Sequence, residues 1–133
     1  MKGIANLIAG TTLILGVVHV SPATAVGEMP DKQTCTSAKS GIIAGGCIAT
    51  DREKGNCMAC HSFTGIERTR LQAGNIGPPL VAMKARYPSQ KRLRDQVFDA
   101  SQFNPHTVMP LFGKYRILTD NEIDLIVQWL YSL

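Results

Sequence analysis

An all-α fold of three to five helices packed around one covalently held group is what this chain predicts. Three observations carry that prediction. A helical pattern from roughly Ser37 to Thr50 precedes the stretch Cys57-Met58-Ala59-Cys60-His61, a basic helical run starts at Ser89, and a capped apolar helix starting at Thr119 closes the chain. Two cysteines separated by two residues, with a histidine directly after, read as a c-type haem attachment site.

The spacing has a chemical reason. Cys57 and Cys60 can each form a thioether with one haem vinyl group, and the adjoining imidazole of His61 then reaches the iron as proximal ligand. The rival readings are a zinc half-site and a thioredoxin-like redox pair. Zinc would need a second ligand pair, and Cys35 and Cys47 stand too far apart for finger spacing. A redox pair would need a βαβ context, which the flanks do not offer.

Haem attachment of this type requires export. Lys2 is the only charge in residues 1–25, the run from Leu7 to Val20 is almost wholly apolar, and Ala23-Thr24-Ala25 suits a signal peptidase. The apolar run is short for a membrane span and fits a signal peptide over residues 1–25, with an uncleaved N-terminal anchor as the alternative. The expected location is periplasmic, where spare cysteines oxidise.

Removing residues 1–25 leaves 26–133, enough for one small domain, in which a covalent haem would form a large share of the apolar interior. With Lys2 removed from the 14 basic side chains, 13 remain against 10 acidic ones, a net charge of +3 that two haem propionates would bring close to neutral. That balance points to neither nucleic acid nor, after signal cleavage, membrane.

Residues from Val26 to about Thr34, with Gly27, Pro30 and Asp31, read as a loose arm. In the helical pattern that follows, Ile42, Ile43 and Ile48 are apolar, while Gly41, Gly45 and Gly46 cost propensity and would let another helix approach closely. Cys35 and Cys47 bracket this segment. In an oxidising compartment, with the other two cysteines consumed by haem, an internal disulfide is the simplest reading; free thiols or a bond to a partner chain are the alternatives.

After His61 the chain runs through Phe63 and a polar, glycine-containing loop to Gly77-Pro78-Pro79-Leu80. Paired prolines hold the backbone extended. A carbonyl fixed there, that of Pro78, could accept the second N–H of the proximal imidazole and set its tautomer, though an ordinary stiff turn would look the same. Beyond it, Ser89 is a plausible N-cap, with Leu93, Val97 and Phe98 at helical spacing. Lys84, Arg86, Lys91, Arg92 and Arg94 make this run basic, either as a solvated face or as a docking surface for an acidic partner.

The iron's sixth position draws attention to Asn104-Pro105-His106-Thr107-Val108-Met109-Pro110. Met58 lies between the tethering cysteines, Met29 in the arm and Met83 just after the proline turn. Met109, between Pro105 and Pro110, lies far enough along the chain to wrap the opposite face, and a thioether there raises the potential. His106 is the competitor, and an open position is the third possibility. Finally, Thr119 and Glu122 form a capping box ahead of Ile123, Ile126, Val127 and Leu130 at core spacing, with Trp129 expected to lie across the glycine-bearing first helix.

In this order, the parts resemble the class I cytochrome c fold over essentially all of residues 26–133. The nearer resemblance is to SoxX, the monohaem subunit of the SoxAX thiosulfate-oxidising cytochromes. It is carried by the Lys54-Gly55-Asn56-Cys57 lead-in, by Gly74-Asn75-Ile76-Gly77-Pro78-Pro79 and by the Asn104-to-Pro110 loop, with Leu93-Arg94-Asp95 and Leu118-Thr119 in support. Cys35 and Cys47 lie outside it.

The resemblance implies one haem c with His61 and Met109 as axial ligands and Cys57 and Cys60 as tethers. It also implies a heterodimer with a SoxA-like haem subunit, in which thiosulfate is joined oxidatively to a cysteine of a SoxYZ-like carrier. The chain would then be the electron-transfer subunit of an L-cysteine S-thiosulfotransferase, passing electrons to a small soluble cytochrome c, with no catalytic residue of its own. A free-standing periplasmic electron shuttle is the alternative, and a haem sensor with an open iron a more distant one.

Overall fold

The computed structural model describes residues 29–63 and 72–133. The expected signal peptide, residues 1–25, and most of the polar loop after Phe63 lie outside the described residues. Among the described residues five α-helices form, α1 (Lys32–Ser37), α2 (Gly41–Thr50), α3 (Met83–Arg86), α4 (Gln90–Phe98) and α5 (Asp120–Leu130), with 3-10 turns at Cys57–Ala59 and Ala100–Gln102. Among the described residues there is no strand beyond an isolated Phe63–Leu80 bridge, so the all-α expectation holds. No helix among them is long and apolar enough to cross a membrane.

The centre of the fold is the crossing of α2 and α5, made possible by glycine. A Cβ on Gly45 would stand 1.9 Å from the Leu125 carbonyl oxygen, and one on Gly46 would stand 2.8 Å from Trp129 Nε1. Trp129 therefore does lie across the glycine-bearing helix, as its sequence context implied. Its ring meets that of Phe63 edge to face at 5.4 Å. Ile123, Ile126, Val127 and Leu130 of α5 are all buried, the stripe expected from their spacing.

The helix starts follow local chemistry. Ser89 caps α4 by accepting from Arg92 N at 3.4 Å, and Thr119 and Glu122 form the reciprocal box at the start of α5. The N-terminal arm is more ordered than its composition suggested. Asp31 accepts from Thr34 N at 2.7 Å and caps α1, Pro30 is buried, and Met29 packs on the core. The helix expected from roughly Ser37 begins instead at Gly41, and residues 38–40 separate it from the additional helix α1. Cys35 of α1 and Cys47 of α2 are joined by a disulfide, their Cα atoms 5.5 Å apart.

Several charges of the basic run have partners within the fold. Arg94 reaches from α4 to Asp120 and Asp124 of α5, each at 2.6 Å, Lys91 pairs with Asp95, and Arg92 stacks 4.4 Å above the Phe103 ring. Of these, Arg94 joins α4 to α5, while Lys91 pairs within its own helix and stays exposed.

Candidate functional site

The chain enters the Cys57–Ala59 turn through Asn56, whose φ of 45° lies in the left-handed region that Asn tolerates. Gly55 lets this entry pack against α2: a Cβ there would stand 2.8 Å from the Ile48 carbonyl, and Gly55 N donates to that same oxygen at 3.1 Å. Within the turn, Cys60 N and His61 N both donate to the Cys57 carbonyl, at 3.2 and 2.9 Å. Both thiols and the imidazole thus come from one compact unit.

A second segment is laid against that unit. Gly74 N donates to Met58 O at 2.9 Å and Gly77 N to Cys60 O at 2.8 Å. Side chains would prevent the contact, since a Cβ on Gly74 would fall 2.0 Å from the Ala59 carbonyl and one on Gly77 would fall 2.3 Å from His61 Cε1. This pairing brings the Pro78 carbonyl to 2.7 Å from His61 Nδ1. A carbonyl only accepts, so Nδ1 carries the proton and, in the neutral ring, Nε2 presents a lone pair. Arg86 of α3 supports the same turn by donating to the Pro79 carbonyl at 2.5 Å.

Cys57, Cys60, His61 and Met109 all line one cavity of about 590 Å³, whose walls include Leu80, Leu93, Val97, Phe112, Ile126 and Leu130. That volume falls in the range of cofactor pockets. Arg52, Lys54 and Arg86 bring positive charge to its wall.

Burial pushes the Cys57 thiol up to about 12, although part of its surface faces the cavity. Such a thiol is a poor thiolate nucleophile, which argues against a thioredoxin-like pair. Among the described residues no group of three or more His, Cys, Asp or Glu side chains gathers to hold a metal ion.

On another stretch of the wall lies the loop from Asn104 to Pro110. Thr107 N donates to Asn104 O at 3.0 Å, His106 N to Asn104 Oδ1 at 3.0 Å and Met109 N to Thr107 Oγ1 at 3.1 Å. Met109 is half-buried and packs on the core, whereas His106 is exposed although it too borders the cavity. Met83 is fully buried, its sulfur 3.7 Å from Arg86 Nη1, and Met58 is buried beneath the turn.

The residues present fit a c-type haem. Two thiols stand beside a lone-pair-bearing imidazole, an apolar slot has a haem's scale, and a thioether comes from a separate loop. Sequence reasoning missed the parts that Gly74, Gly77 and Arg86 play in aiming His61. The glycines were visible as letters, but the surfaces they touch lie in other segments.

No family model matches the chain, and no curated protein matches it. Among solved structures, it is similar to a chain of the crystal structure of SoxXA from P. pantotrophus, at 26% identity and a TM-score of 0.61, over 74% of this chain and 85% of that one. With that likeness and the arrangement above, the chain is a SoxX-like protein with the class I cytochrome c fold.

Proposed function

We propose that this chain is the haem c electron-transfer subunit of a SoxAX-type L-cysteine S-thiosulfotransferase. The observation that carries the reading is the convergence of Cys57, Cys60, His61 and Met109 on one apolar cavity, with His61 Nδ1 fixed by the Pro78 carbonyl at 2.7 Å. When bound, a haem supplies one-electron redox chemistry there. Cys57 and Cys60 would tether it, and His61 and Met109 would ligate its iron.

Each residue has a physical task. The Pro78 carbonyl fixes the His61 tautomer and raises its basicity as a ligand. Met109, a soft donor, favours the reduced iron and makes the subunit a ready electron acceptor. The apolar walls exclude water and so hold the potential up. No side chain of this chain attacks substrate. Thiosulfate is joined to a cysteine of a SoxYZ-like carrier at the SoxA-like partner, and this subunit takes the released electrons and hands them to a small soluble cytochrome c. The Cys35–Cys47 disulfide supports a periplasmic location.

The test is co-expression of the exported, haem-loaded chain with a SoxA-like haem subunit. A stable heterodimer whose haem in this chain is reduced when thiosulfate and carrier are added supports the reading. A lone monomer that exchanges electrons only with other small cytochromes overturns it in favour of a free-standing periplasmic shuttle.

A further inference from the structure

The loop that carries Met109 is a closed excursion from α4, and its two ends meet at one place. The Phe98 carbonyl, at the end of α4, accepts from both Gly113 N at 3.0 Å and Lys114 N at 3.2 Å. Gly113 lies flat against the Phe98 ring, where a Cβ would come within 1.9 Å of a ring carbon. Beside this junction stands Asp99, 8% exposed and the one buried charged residue among those described. Its Oδ1 accepts from Ser101 N at 3.1 Å and from the Ser101 hydroxyl, and its Oδ2 faces Lys114 Nζ at 3.3 Å. Lys114 Nζ also reaches Ser101 Oγ at 3.5 Å. Between these ends, the bonds around Met109 are short-range turns within the loop itself.

We propose that Asp99, together with Lys114, is a positioning pair that holds the Met109 loop closed over the cavity and so governs how firmly the Met109 thioether occupies the sixth position of the iron. The proposal rests on the reading of Met109 as axial ligand. Its physical basis is pre-organisation. A tethered loop surrenders little freedom when its methionine binds, whereas a loop with one open end gains more by letting go. A covered carboxylate held by a hydroxyl, an amide and an ammonium is a firm closure, since removing one partner leaves the other charge poorly compensated. An outside ligand competing for the iron reads the fraction of molecules in which the loop has released.

The experiment uses the ferric holoprotein and imidazole as the competing ligand, followed through loss of the sulfur-to-iron charge-transfer band. Asp99→Asn keeps an acceptor for Ser101 but removes the charge, and Lys114→Met removes the other partner from its exposed side. Each should tighten imidazole binding by about two- to fivefold, the scale of a partly exposed ion pair, and lower the reduction potential. Lys114→Arg should restore wild-type behaviour. Lys91→Met, which breaks the exposed Lys91–Asp95 pair on the same helix, should leave imidazole binding unchanged.

If Asp99→Asn and Lys114→Met lower the unfolding temperature but bind imidazole as weakly as wild type, the pair serves the fold alone and the proposal is overturned. A wild-type protein that lacks the charge-transfer band overturns the Met109 assignment itself, and this proposal with it. Should Asp99→Asn fail to accumulate, Lys114→Met reports on the same closure.

Discussion

Gly77 and His61 are in contact so close that position 77 has no room for a side chain: a Cβ would stand 2.3 Å from His61 Cε1 and 2.6 Å from Nδ1. The constraint is one of space. The same ring holds the Pro78 carbonyl through Nδ1 at 2.7 Å, so any push on the ring also breaks the bond that fixes its tautomer. Gly77→Ala is expected to destabilise the holoprotein by about 1–3 kcal/mol, the usual range for overpacking, and to shift the reduction potential. Thermal unfolding and redox titration check the two effects separately.

Met109→Ala should open the iron's sixth position. The reduced variant is expected to bind carbon monoxide at neutral pH and to show a lower potential than wild type, while wild type resists the gas. His106→Ala provides the contrast. His106 is exposed and Met109 packs on the core, so the histidine variant should keep both the spectrum and the potential. If the two variants exchange these behaviours, the ligand is His106.

What could be read in the sequence, and what could not, divides along the range of the interactions. Ser89, Thr119 and Glu122 act on backbone groups within three residues of themselves, so their roles follow from spacing alone. The Cys57-to-His61 turn is equally local. The Pro78 carbonyl was reachable because stiffness is a property of the proline pair itself. By contrast, composition marks Val26 to about Thr34 as a loose arm although α1 begins within it, because the cap and the disulfide that order α1 do not show in composition. The short α3 is entered through Ala82 with φ 50°, a conformation that no sequence rule assigns to alanine. The tasks of Gly74, Gly77 and Arg86 depend on surfaces brought from other segments, which periodicity does not encode.

At the α2–α5 crossing two effects of opposite sign meet at Gly45. Replacing glycine by alanine inside a helix gains about 1 kcal/mol in propensity. A Cβ 1.9 Å from the Leu125 carbonyl oxygen, however, faces backbone that cannot rotate away, and the two helices must separate. Overpacking of about 1–3 kcal/mol or more should win, so Gly45→Ala is expected to lower stability. Gly41→Ala meets no atom within 4 Å but requires φ of 73°, and its cost should be strain of about 1 kcal/mol. Denaturant unfolding of the pair separates crowding from strain.

The Cys35–Cys47 disulfide closes a loop of sequence separation 12 and ties α1 to α2 away from the cavity. Replacing both cysteines by serine should cost up to about 3 kcal/mol in the chain-entropy model. The potential and the spectrum of the haem should stay at wild-type values. A change in potential in the double variant would mean that the arm, through Pro30 and Trp129 against Gly46, communicates with the site.

Glu122 joins two structures at once. It accepts from Thr119 N at 2.9 Å and Thr119 Oγ1 at 3.0 Å to close the cap of α5, and it pairs with Lys54 in the lead-in to Cys57. Lys54, foremost, and the Thr119 donors hold its carboxyl below the ordinary value of 4.5. A folded-state value below the unfolded one means that the unfolded chain takes up the proton first as pH falls. The stability Glu122 contributes is therefore full above about 4.5 and is lost as pH drops through the lowered folded value. Glu122→Gln should lose about 1 kcal/mol at neutral pH, as expected for a weakened cap. Its acid limb should be flatter than that of wild type, so that the two unfolding curves converge at low pH. Parallel limbs, with the neutral-pH gap preserved in acid, would show that packing at position 122 rather than its charge stabilises the junction.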